Sequence, residues 1–299
     1  MTNSHTSHKF SIMVLILVFI STLFVGADGI FEKTPLLIDS QWLKDNLNRK
    51  NMVLIDFGRS IEDYKSGHIP GAVYVDRASV YDTVDDVQGM LPPPEIAVPY
   101  FEAAGISNNS LIVIYDAIGG LWASRLFWGL EFYGHTNVHI LDGGYPAWQS
   151  KGGSVSTEIP SVEVGVFKYK VQEDRVADTA FILDNVENTD IQVIDTRSVG
   201  EYEGTDVRAE RGGHIPGAIN IDWGLNLDEN RVFLSIQELS ELYDTEGVEK
   251  GKTLITHCQT GVRGAHTYFV LRQLGYKDVR LYDESWVVWG NESETPIDK

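Results

Sequence analysis

The sequence is nearly without cysteine: Cys258 is the single one in 299 residues. An intramolecular disulfide is therefore excluded, as is any zinc or iron–sulfur site built from several cysteines. Basic residues are also few. Lysine and arginine number 24 against 43 aspartate and glutamate, a formal charge of −19 at pH 7. A nucleic-acid binder needs a basic footprint, so no nucleic-acid partner is expected. A small anionic substrate stays compatible with this charge. Surface charges are screened beyond about 8 Å, and a local cationic pocket overrides the distant field. Charged content of 22% and hydrophobic content of 43% are ordinary for a folded protein and exclude a disordered chain. The length suits one or two domains with a sizeable core.

An uncharged apolar run stands at the start. Residues 10–25, FSIMVLILVFISTLFV, hold thirteen apolar residues of sixteen. Lys9 precedes them, and the small residues of Val25-Gly26-Ala27 follow. Residues 1–27 read as a secretory signal cut before Asp28, with an uncleaved membrane anchor as the alternative. The run is short of the ~20 residues that span a bilayer comfortably. Either reading places residues 28–299 outside the cytoplasm, with membrane contact only through this segment. A free thiol is a liability in an oxidising compartment, so Cys258 is expected to have a chemical task.

The remainder is a duplication. VLIDFGRSIEDYKSGHIPGAVYVD (53–76) and VIDTRSVGEYEGTDVRAERGGHIPGAINID (193–222) share a strand ending in Asp56 or Asp195, an Arg-Ser pair and a GHIPGA segment. SLIVIYD (110–116) then aligns with KTLITHC (252–258), and FYGHTNVHILDGGYPAW (132–148) with QLGYKDVRLYDESWVVW (273–289). Helices are expected to end at Gly134 and Gly275, followed by strands Val138–Leu141 and Val279–Tyr282. Strands alternating with helices, twice, predict two α/β domains with mainly parallel sheets. The small, polar stretch 150–157 reads as linker, 164–171 as strand-like, and 86–95 as a loop.

The halves differ where chemistry is expected. The first has Asp116-Ala117-Ile118-Gly119-Gly120 after its strand; the second has Cys258-Gln259-Thr260-Gly261-Val262-Arg263-Gly264. Helices are expected from about Trp122 and about Ala265. Ligand sites of such sheets lie at the carboxyl ends of strands. Backbone N–H groups at a helix start favour negative charge, and a glycine-containing loop can turn them inward as an anion nest. Arg263 adds a permanent cation. A nucleophilic thiolate at Cys258 inside an anion-binding cradle is the expectation.

CQTGVRG, the two GHIPGA segments and the ending YDESWVVWGN resemble the rhodanese (thiosulfate sulfurtransferase) family over nearly all of residues 36–291. The resemblance implies two tandem rhodanese-like α/β domains: a non-catalytic one at 36–152, a linker at 153–179 and a catalytic one at 180–293. It also implies the activity. Cys258 takes a sulfane sulfur from a small anionic donor, thiosulfate first, and passes it as a persulfide to cyanide or a thiol acceptor. Arg263, the loop residues Gln259, Thr260, Gly261, Val262 and Gly264, and Arg197 are the expected donor contacts. No metal or organic cofactor is required. Many two-domain relatives place an arginine where this chain has Glu201, which would repel an anion unless it turns away or pairs; Arg197, Arg208 or Arg211 could then substitute, the last two from the longer loop.

Other readings of the loop are a 3-mercaptopyruvate sulfurtransferase, a non-catalytic sulfur- or anion-binding module, and a Cys-Arg phosphatase. The phosphatase pattern is Cys-x5-Arg, whereas this loop is Cys-x4-Arg, a smaller ring. His68 and His214 read as turn residues, His266 as packing or surface, and Trp286 and Trp289 as packing on the last strand. His257 neighbours Cys258 on a strand, so their side chains are expected on opposite faces.

Overall fold

The computed structural model describes Met1 and residues 35–299. The signal or anchor read over residues 1–27 lies outside the described residues, apart from Met1. Among the described residues no helix is long and apolar enough to cross a membrane.

The first half runs β1 (Leu37–Ile38), α1 (Ser40–Asn46), β2 (Met52–Phe57), α2 (Ile61–Ser66) and β3 (Val73–Val75). It continues through β4 (Asp82–Val84), β5 (Val87–Met90), α3 (Pro94–Ala103), β6 (Leu111–Tyr115), α4 (Leu121–Phe132), β7 (Val138–Leu141) and α5 (Gly144–Ser150). The second half runs β8 (Val176–Ala177), α6 (Thr179–Asp184), β9 (Ile191–Asp195), α7 (Val199–Tyr202) and β10 (Ile219–Asn220). It ends with α8 (Ile236–Thr245), β11 (Thr253–His257), α9 (Val262–Gln273), β12 (Val279–Tyr282) and α10 (Ser285–Trp289).

The two five-stranded sheets have one topology. The first orders its strands β1-β7-β6-β2-β3, the second β8-β12-β11-β9-β10, and every pairing within them is parallel. In each sheet the middle strand is the apolar run next to the Asp116 or Cys258 loop. β6 is buried throughout and β11 nearly so, as expected of parallel strands covered on both faces. The helices α4 and α9 end where glycines take the left-handed conformation: Gly134 at φ +90° and Gly275 at φ +85°.

The halves share a core. One buried cluster contains Phe127 and Leu130 from the first half together with Phe269 and Val270 from the second. Phe127 and Phe269 meet edge to face at 5.0 Å. Around them Tyr268 Oη donates to Glu131 at 2.7 Å, and Arg272 pairs with the same carboxylate at 3.0 Å. α4 therefore packs directly on α9, the helix that follows Cys258.

Three local expectations differ from the fold. Residues 164–171 form no strand. They run along the first half instead, where Phe167 is buried, Gly165 N bonds Glu102 O and Lys170 N bonds Tyr133 O. Their alternating pattern satisfies one apolar contact and a few carbonyls, not a sheet. β8 belongs to the second sheet, so that half begins ahead of residue 180. Residues 87–90 form the second strand of an antiparallel hairpin with 82–84, and 94–103 form a helix, in place of a loop over 86–95. The hairpin turn holds Asp85 and Asp86 at positive φ, which aspartate tolerates better than most residues.

Candidate active site

The chain places Cys258 immediately after β11 and five positions ahead of Arg263, which lies with Gly264 in the first turn of α9. Gly261 takes φ +75° and closes the turn, so α9 begins at Val262 rather than near Ala265. An added Cβ there would meet the Asp283 carboxylate and the Arg125 guanidinium, so only glycine fits. The thiol-bearing residue is 1% exposed. Three residues of α10 fasten its loop. Trp286 N donates to Cys258 O at 3.0 Å and Val287 N to Gln259 O at 3.0 Å. Ser285 Oγ accepts from Cys258 N at 3.3 Å and Gly261 N at 3.1 Å, and donates to Tyr282 O at 2.8 Å. Ser285 sits at φ +52°, where its counterpart in the first half, Gly144, sits at φ +56°. A strained serine thus stands where glycine would be relaxed, and its hydroxyl holds both ends of the Cys258 turn.

The first-half counterpart shows what this loop geometry binds. The Asp116 carboxylate accepts four backbone N–H groups, from Ile118 at 3.0 Å, Gly120 at 2.9 Å, Trp122 at 2.9 Å and Ala123 at 3.3 Å. An anion therefore fills the nest in front of α4. Burial pushes this carboxyl up, and the four N–H bonds oppose the shift. In the second half the residue at the strand end is Cys258. Among the described residues, the N–H groups of Thr260, Val262, Arg263 and Gly264 meet no protein acceptor. They are available to an anion, as helix-start donors are.

The charged residues around the loop are paired. Arg263 forms a bidentate pair with Glu201, at 2.6 Å and 2.8 Å. Glu201 is 1% exposed and also caps α7 through Ser198. Burial acts to raise its pKa, but Arg263 and Ser198 outweigh that and hold it at about 2. Burial likewise opposes the Arg263 charge, yet Glu201 and the adjoining Cys258 keep the guanidinium above its ordinary range. Arg208 approaches the same carboxylate at 3.7 Å and remains half exposed, and its carbonyl accepts Gln259 Nε2 at 3.1 Å.

The other residues considered from the sequence are committed to partners within the fold. Arg197 is buried. It bonds Asp195 through Nε and Nη2, donates to Gly213 O at 2.7 Å and stacks on Trp286 at 4.1 Å. It braces β9 against α10 rather than presenting a free cation to a donor. Arg211 is committed to the C-terminal segment through Thr295 and the Trp289 carbonyl. His257 points to Asp195 at 3.6 Å, and burial lowers its pKa to about 4. His266 bridges the halves by bonding Gly119 O at 3.0 Å while stacking on Phe233; burial holds it near 4 as well. His68 and His214 stack on Tyr64 and Tyr202. Trp286 and Trp289 are buried on α10, against the last strand. Among the described residues no cluster could hold a metal ion.

Several site features had no local signal in the sequence. The β4–β5 hairpin of the first half lies on the active loop, and Gly89 approaches Thr260 too closely for a side chain. Arg125 crosses between halves to pair with Asp283 at 2.5 Å, and donates to Gly89 O at 2.9 Å. Leu91 N completes the link by donating to Asp283 at 2.8 Å. Each of these contacts joins segments more than 30 residues apart.

Two parallel sheets of one topology, with a lone thiol before a helix start in the second and a carboxylate in its place in the first, define a tandem α/β protein with one thiol at the carboxyl end of a central strand. The rhodanese-like domain family matches the chain twice, over residues 39–151 and 179–292, so the chain belongs to the rhodanese family. It is similar to a thiosulfate sulfurtransferase of Pseudomonas aeruginosa, 34% identical over 90% of this chain and 99% of that one. It is also similar to the sulfur carrier protein TtuD of Thermus thermophilus, 32% identical over 90% and 98%. Among solved structures, the 3-mercaptopyruvate sulfurtransferase SseA of Escherichia coli superposes with a TM-score of 0.76. It is 27% identical and the match covers 85% of this chain and 99% of that one.

Proposed function

We propose that this chain is a thiosulfate sulfurtransferase working through a Cys258 persulfide. The Cys258 thiolate attacks the outer sulfur of thiosulfate, the sulfur–sulfur bond breaks, and sulfite leaves with the bonding pair. Cyanide or a thiolate then attacks the terminal persulfide sulfur, takes it away, and restores the thiolate. The N–H groups of Thr260, Val262, Arg263 and Gly264 stabilise the donor and then the anionic persulfide, as an oxyanion hole stabilises oxygen. Arg263 and the half-exposed Arg208 bring guanidinium groups to the Glu201 carboxylate beside the loop, and Arg208 also pairs with Asp206 at 2.8 Å. Glu201 pairs with Arg263 and so does not confront the donor unpaired. The observation that carries this reading is the Asp116 carboxylate, held by four N–H bonds in the equivalent loop.

The deciding experiment is the intact mass of the protein after thiosulfate, then after cyanide, beside Cys258→Ser. One added sulfur atom, removed by cyanide and absent in the variant, is the expected result. No added sulfur from thiosulfate or mercaptopyruvate would overturn sulfur transfer. Mercaptopyruvate is the second donor to test, because neutralisation of Arg263 by Glu201 lowers the site's advantage for a dianion. The similarity to thiosulfate sulfurtransferases favours thiosulfate. Export, as cleaved protein or anchored through residues 10–26, is part of the proposal and rests on the sequence pattern of residues 9–28. Fractionation of cells with mass analysis of the N-terminus tests it.

A further inference from the structure

α4 and α9 each begin after a left-handed glycine, Gly120 and Gly261, and the fifth residue of each reaches the loop of the opposite half. In α9 that residue is His266, which bonds the Gly119 carbonyl at 3.0 Å. In α4 it is Arg125, a permanent cation. Its guanidinium is 0% exposed and bonds through all three nitrogens. Nε donates to Val80 O at 2.9 Å, Nη2 to Gly89 O at 2.9 Å, and Nη1 to Asp283 Oδ1 at 2.5 Å. The pair also backs the active loop. A Cβ added at Gly261 would stand 2.8 Å from Arg125 Nη1 and 2.7 Å from Asp283 Oδ1.

The other half of the molecule does without this cation. Asp142 follows β7 as Asp283 follows β12, and each accepts a backbone N–H from the opposite half: Phe233 N at 3.0 Å and Leu91 N at 2.8 Å. Among the described residues, Asp142 has no ion-pair partner. Joining the halves therefore does not require the arginine, which stands on the side of the thiol loop. A carboxylate left uncompensated behind that loop would disfavour a thiolate within it. We propose that Arg125 is a positioning residue for Cys258: reaching across from the first half, it neutralises Asp283 behind the loop and seats Gly261, so that the thiolate forms without an uncompensated negative charge at its back. This deepens the reading of Cys258 as the nucleophile and rests on it. The other charges around the loop, Arg263 with Glu201 and Arg208, and Asp195 with Arg197 and His257, stay in place in the variants that test it.

The test is the rate of alkylation by iodoacetamide, followed on the full chain from about pH 5 to about 9. The reagent is neutral and the rate follows the thiolate; Cys258 is the single cysteine, so intact mass reports it alone. Arg125→Gln strands the Asp283 charge. Its profile should move about one pH unit to the alkaline side, a tenfold slower rate on the rising limb. Asp283→Asn keeps an acceptor for Leu91 N and strands the Arg125 charge, so its profile should move the opposite way. Mere loosening of a buried thiol would quicken alkylation in both. Arg125→Lys keeps the charge and should recover most of the shift. His266→Ala, which cuts the matching contact at the first-half loop, should leave the profile in place. Melting temperatures identify a variant that fails to fold, and the sign of the shift in the other member of the pair then decides. Profiles of Arg125→Gln and Asp283→Asn that coincide with the parent's or move in one direction, or an equal shift in His266→Ala, would overturn the proposal. Alkylation needs no sulfur donor, so a parent chain that alkylates but takes up no sulfur would overturn the sulfurtransferase reading alone.

Discussion

Glu201→Gln separates charge from shape at the active loop. Glutamine keeps the side-chain length and can still close the cap on α7, because glutamine serves the third helical position as glutamate does. What it removes is the charge that faces Arg263 at 2.6 Å and 2.8 Å. Glu201 is almost fully buried, so solvent screens this pair little. Lowering its pKa from 4.5 to about 2 corresponds to about 3 kcal/mol of folded-state stability. The sign follows from the depressed value. The contribution is complete above pH 4.5 and is lost as pH falls from there toward 2. The variant should therefore unfold in urea with about 3 kcal/mol less stability at pH 7. The gap from the parent chain should shrink by more than half at pH 3, where unfolded-state glutamate is protonated. Arg263, freed of its counter-charge, should lower the thiosulfate KM in the same variant. A gap below about 1 kcal/mol at pH 7, or one that stays constant down to pH 3, would refute the reasoning.

Ser285→Gly removes the acceptor for two loop N–H groups while relieving a positive φ, so stability should change by less than about 1 kcal/mol whereas kcat falls. Comparison of thermal unfolding with steady-state kinetics checks it, and an unchanged kcat would deny Ser285 its positioning role. Asp116→Ala leaves four buried donors without an acceptor and should cost about 3 kcal/mol or more, with turnover of the folded protein nearly intact. Formate in the buffer should restore part of the lost melting temperature beyond what chloride does. Buried His257 and His266 stay neutral down to about pH 4, so the unfolded chain gains their protons first, and stability should fall as pH drops from 6.5 to 4. His266→Gln should flatten that slope by about 1.4 kcal/mol per pH unit, and an unaltered slope would show that His266 is not held neutral.

The sequence alone determined the repeat and the two sheets, and it singled out the Cys258 loop as the place where the halves differ. These features are local. An apolar strand, a glycine at a helix end and a lone cysteine before a glycine turn each carry their signal within a few residues. Strands 138–141 and 279–282 are found where they were expected because each lies between a helix-ending glycine, Gly134 or Gly275, and an aspartate, Asp142 or Asp283. Tertiary structure alone decided the partners of the charges. Arg197 and Arg263 look equivalent as cations in the sequence. Folding commits Arg197 to Asp195 and Trp286, whereas it carries Arg263 across 62 positions to Glu201 beside the thiol. The Gly89 contact with Thr260 and the Arg125–Asp283 bridge were equally invisible, because packing of α4 on α9 brings the first half onto the second. A side chain's type sets what it can bond, but only the packed chain brings a particular partner within reach.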